Sequence, residues 1–127
     1  MRSLLPLLLF ATVNGVTATA ELNTRRAADG RHQPFIMNFS LPAEHIAWPE
    51  GTIMVAGDGA GSAKAAAPTD TELLGVLDTR VGANEQSGNV IIHGSVPADI
   101  LRCEDDGELA DAASEQIVAL RGIGVYA

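Results

Sequence analysis

The stretch from Gly57 to Lys64, GDGAGSAK, follows the short apolar run Thr52–Ala56 and ends in a lysine. A strand feeding a glycine-rich loop with a terminal lysine is the layout in which backbone N–H groups cradle phosphate. The spacing fails the test. Such a loop needs glycine, four residues, then Gly-Lys-Ser/Thr, so that the final hydroxyl can hold magnesium. Ser62 stands where the second glycine is required, and Ala65 follows Lys64, so that hydroxyl is missing. The dinucleotide pattern fails too, because Ser62 replaces its third glycine. Pro68 follows shortly, where a helix should run. The stretch reads as a surface connection between two strands.

Other reactive residue types are spread apart. His32, His45 and His93 share no metal-ligand spacing, and a zinc site built on His93 and Cys103 lacks two further ligands. Cys103 precedes Glu104, Asp105 and Asp106, and a field of acids raises a thiol pKa, the wrong direction for a nucleophile. Ser62 and Ser95 have glycine neighbours, but neither lies in a G-x-S-x-G elbow. The acids from Glu104 to Glu108 lack the pattern of a calcium loop and read as a solvated connection. No enzyme activity, cofactor or metal is expected.

The totals bound what remains. A chain of 127 residues makes one domain, with room for a tail. Its single cysteine cannot form an intrachain disulfide. Aromatic residues are scarce, so small aliphatics must build the core. The net charge of −8 argues against nucleic-acid binding. That charge is uneven. Residues 1–36 carry four arginines against Glu21 and Asp29, a net of +2, whereas residues 37–127 carry four basic and fourteen acidic residues, a net of −10. A basic arm thus precedes an acidic body.

Residues 1–20 are apolar and signal-peptide-like: Arg2, then the run Leu4–Val13, then Ala18-Thr19-Ala20 as a small-residue exit. The run is too short to span a bilayer. Glu21–His32 reads as an extended or disordered arm. Strands are expected at Pro34–Leu41, Thr52–Ala56, around Leu73–Leu77, at Asn89–Val96 and in the closing IGVYA. Pro97 opens a short helical turn. Leu109–Gly122 reads as the one clear helix, with Ala113, Ile117 and Leu120 on one face and Gly122 as its cap.

Taken in order, WPEGTIMV, LLGVLDTRVGA, NVIIHGSVPADILR and ALRGIGVYA, with RHQPFIMNFSL before them, resemble the bacteriophage lambda-type head decoration (capsid cement) family. The resemblance covers residues 29–127 and lies in the ordered set, since no single motif is specific. It implies an α+β fold: a small β-rich, β-tulip-like body (37–127) with one C-terminal helix and an extended N-terminal arm (1–36). It also implies a homotrimer at three-fold positions of the expanded capsid, with the major capsid protein as partner and neither nucleic acid nor membrane contacted directly. The arm would order on docking, Arg25, Arg26 and Arg31 supplying charge contacts and Phe35, Ile36 and Phe39 buried area. On this reading the body folds without residues 1–36 but no longer binds. Residues 1–20 are more apolar than such arms, which keeps a second reading open, a secreted or periplasmic β-rich binding module whose signal peptide is cleaved.

Overall fold

The computed structural model describes residues 26–127. Arg25 and the signal-peptide-like segment lie outside the described residues. The described part is a small α+β body, mostly sheet, with one α-helix.

Five strands form an antiparallel path: β1 (Phe35–Ser40), β5 (Ser87–Ser95), β4 (Gly75–Leu77), β2 (Ile53–Ala56) and β3 (Ala63–Ala65), in that spatial order. β5 is the longest strand and the hub. Ser87–His93 pair with β1 on one side and Val90–Ile91 with β4 on the other, in the registers Met37↔Val90 and Leu77↔Val90. Its last two residues pair in parallel with β8 (Val125–Tyr126). At one end the path almost closes on itself, because Ser40 bridges Ser62 and the Ser40 N–H donates to Gly61 O at 3.0 Å.

Alternation along the central strands splits the apolar residues between two faces. Ile53, Val55, Val76 and Ile91 join one core with Val96, Leu101, Leu120 and Val125. Met54, Leu77 and Val90 join another with Leu41, Trp48, Ala63 and Val81. Both faces of the middle strands are therefore buried, and each fully covered Ile or Leu contributes about 2 kcal/mol. Glycine makes the tightest approach: a Cβ on Gly75 would lie 2.0 Å from Ile91 O, so only glycine lets β4 reach β5 there.

Two expectations need correction. The acidic stretch from Glu104 to Asp111 belongs to a hairpin rather than a loop: β6 (Arg102–Asp105) pairs with β7 (Glu108–Asp111). Asp106 and Gly107 turn it with φ of 57° and 87°, and an Asp-Gly pair suits such a turn. The helix α1 spans Ser114–Gly122, not Leu109–Gly122. Leu109–Asp111 are already committed to β7, and Ala112 N–H donates to Leu101 O. Gly122 sits inside the helix, and the left-handed residue after it is Gly124, with φ of 96°. Strand β3, Ala63–Ala65, was not expected. Pro97 does precede a single 3₁₀ turn, Ala98–Ile100.

Candidate functional site

The site residues read from the sequence, Arg25 aside, fall on one described N-terminal stretch, which packs against the body. Ala27 is fully buried, and its N–H donates to Asp78 O at 2.8 Å. Asp78 is buried as well. Its Oδ2 lies 3.1 Å from Arg26 Nε, and its Oδ1 accepts from Ala28 N at 3.2 Å. Asp29 makes a second anchor. It accepts a short hydrogen bond from the Ser95 hydroxyl and also takes Arg31 N at 3.0 Å and Arg31 Nε at 3.2 Å. The Ser95 bond, the largest cause, and the Arg31 N–H hold the Asp29 carboxyl below the usual carboxylate range. Both described arginines of the arm thus contact acids of their own chain.

The apolar residues of the arm do not stay together. Phe35 is 60% exposed and pairs with His93. Ile36 packs on the first core, and Phe39 on the second. Sequence reasoning missed Met37, 44% exposed between them; the alternation of Phe35, Met37 and Phe39 was the signal for it.

These residues form β1, which ends the sheet path; its outer side faces no described strand from Phe35 to Asn38, and at its end Gly61 and Ser62 cover Ser40. Backbone direction along it follows from its neighbours. Leu41 N–H donates to Gln86 O, on the β5 side, and Ser40 N–H donates outward to Gly61 O. On the far side of β5, Asp78 N–H takes Asn89 O, which leaves Val90 and Gly88 to bond Met37 and Phe39. Ile36 and Asn38 therefore point N–H and C=O outward. The opposite edge of the sheet, β3, carries the exposed Lys64. From Pro34 to Ala43 no residue is charged. One edge is blunted by a charge and the other is not.

The remaining candidates carry structure. Ser95 and His32 approach each other, but it is the His32 backbone N–H that donates to Ser95 Oγ, at 3.1 Å, and the hydroxyl itself donates to Asp29. The serine proton is thus held by a carboxylate, not by the His32 ring. The His32 ring lies 5.1 Å from Tyr126, and His93 meets Tyr126 edge-on at 6.4 Å. His45 stacks on Trp48 at 4.2 Å, with its ring nitrogens 2.6 Å from Ile46 O and Glu85 O. Trp48 is buried and donates its indole N–H to Glu104 Oε1 at 2.7 Å.

Cys103 is buried, and burial first, then Asp105 and Asp111, pushes its thiol upward. The glycine loop folds back on itself, Gly59 N–H donating to Ser62 Oγ. It borders a shallow cleft of about 210 Å³ with Leu41, Pro42 and Lys64. Gln116, fully buried, was invisible to the sequence reading. It donates to Ala67 O and Asp70 O and accepts from Ala113 N, tying the helix start to a loop. Among the described residues there is no cluster of three or more His, Cys, Asp or Glu side chains able to hold a metal ion. None of the described helices is long and apolar enough to cross a membrane.

No family model matches the chain, and no curated protein matches it.

Proposed function

We propose that this protein is a structural virion component, a capsid decoration (cement) protein of a tailed phage. On this reading it binds the outer surface of the expanded capsid at three-fold positions as a homotrimer and stabilises the shell against internal DNA pressure. It assembles in the host cytoplasm, contacts the major capsid protein, and touches neither nucleic acid nor membrane. The ordered resemblance over residues 29–127 supports it, and the finer β-tulip likeness belongs to the same proposal. One observation carries it on the structural side: an acidic β-rich body presents an uncharged apolar edge strand, β1, directly after a basic N-terminal segment. A cement protein works by adding contact area between shell subunits, and a strand edge adds backbone hydrogen bonds as well as apolar burial. An acidic remainder favours solubility of the decorated particle.

The test is quantitative mass spectrometry of density-banded virus particles from the source culture. A near-stoichiometric ratio of this chain to the major capsid protein supports the proposal. The first twenty residues favour the alternative of a secreted or periplasmic binding module. A mature chain beginning at Glu21 in the medium or periplasm, absent from particles, would replace the first reading with the second.

A further inference from the structure

We propose that His45 is a proton-operated latch, its ring protonated on both nitrogens and tying the connection after β1 to the loop before β5. Its Nδ1 lies 2.6 Å from Ile46 O and its Nε2 lies 2.6 Å from Glu85 O. A carbonyl oxygen only accepts, so each nitrogen must donate. A neutral imidazole carries one N–H, and in either tautomer its other nitrogen would turn a lone pair on a carbonyl. Only the imidazolium satisfies both contacts. Stacking favours the same state. The ring lies over Trp48 at 4.2 Å, with 16° between the planes, and a cation gains from the face of an indole. The charged groups on the surrounding segments are mostly acids. Glu44 adjoins His45 in the chain, Glu85 stands on the facing loop with its Oε1 on Gly82 N–H, and Glu104 of β6 takes the Trp48 indole N–H. The base in that region is the exposed Arg80, before Val81.

The latch joins two segments distant in the chain. His45 N–H donates to Asn84 Oδ1 at 2.9 Å, and Asn84 N–H returns a bond to His45 O at 3.1 Å. Leu41 N–H to Gln86 O and the Trp48–Val81 bridge flank this pair. The Ile46 contact stays within one residue of the ring, whereas the Glu85 contact crosses between the segments. Loss of either ring proton sets a lone pair against a carbonyl and turns one attraction into a repulsion. A proton held by the folded chain and released by the unfolded one makes stability fall as the pH rises. The latch therefore holds in acid and slackens through the range, about pH 5 to 8, in which histidine changes charge. This inference rests on neither reading of the function.

Two measurements on the full chain test it. Trp48 is the only tryptophan, so its fluorescence reports on the stacked ring. A protonated imidazole quenches an indole it stacks on. The emission should rise in one step between about pH 5 and 8, and that step should be absent from His45→Gln. Two-bond nitrogen–proton NMR spectra of the unsubstituted chain need no variant and separate protonated from bare ring nitrogens. At pH 7, about where a free histidine is mostly neutral, both His45 nitrogens should carry protons in the folded chain, and mostly one in the chain unfolded by urea. A bare His45 nitrogen in the folded chain at that pH, or the same fluorescence step in His45→Gln, overturns the proposal.

Discussion

Arg26 Nε lies 3.1 Å from Asp78 Oδ2, across fifty-two residues of chain. The other oxygen of the same carboxylate takes the Ala28 N–H. One buried acid thus holds both sides of Ala27, whose side chain lies in the core. The geometry separates two substitutions that look equivalent in sequence. Asp78→Ala strands the part-buried Ala28 N–H and frees the guanidinium, at a cost of about 2 kcal/mol. Arg26→Ala removes a half-exposed partner and costs under about 1 kcal/mol. Thermal unfolding of the two variants side by side checks the ranking.

The same anchors set where the chain can be shortened. Deleting residues 1–25 should leave a cooperative unfolding transition. Deleting residues 1–36 removes Ala27, both partners of Asp78 and the start of β1, and should abolish that transition, contrary to the expectation from sequence. Circular dichroism melts of the two truncations decide between these outcomes.

Glycine at position 75 is a packing requirement. Gly75→Ala drives a methyl into Ile91 O and should cost about 3 kcal/mol, through displacement of β4 from β5. Gly59→Ala, whose added Cβ meets nothing closer than 3.9 Å, should change the melting temperature little. Equal effects at the two positions would contradict the strand contact.

The pH response of the arm follows from Asp29. Its carboxyl is held below the ordinary value of about 3.9 in the folded state. Its stabilising contribution is therefore complete above the unfolded value and disappears as the pH falls through the folded one. The protection of amides 26–33, taken relative to their intrinsic exchange rate at each pH, should fall in acid below about pH 4, and Ser95→Ala, which removes the largest cause, should flatten that acid limb.

Cys103 should resist thiol reagents in the native protein at neutral pH, because burial and two acids disfavour its thiolate. Denaturant should release it. Rapid native labelling by a disulfide reagent would contradict the burial.

Much of the sheet was legible because its strands carry their own signals. Asn89–Val96 is β-branched and apolar, and it became the hub strand β5. What misled lay in charge and composition. The acids of Glu104–Asp111 hid a hairpin whose Asp-Gly turn was in plain view, and the alanines around Lys64 hid β3, which owes its form to pairing with β2. Leu109–Asp111 have adequate helix propensity, but tertiary pairing with β6 overrode it. The arginines of the arm carried no sign that Asp78 and Asp29 would claim them, since those contacts join residues distant in the chain or hidden in a turn. The contacts of Gln116 were unreadable for the same reason.

The separation between Ile36 and its sheet partner Ile91 has a consequence in time. The β2–β3 and β6–β7 hairpins close over short stretches and can form early, whereas β1 must wait until β5 exists and a long loop has been drawn shut. By sequence separation, the strand expected last is the one that carries Phe35 and Met37. During refolding those side chains and the matching flank of β5 are bare together, which makes the delay before β1 docks the interval of greatest aggregation hazard.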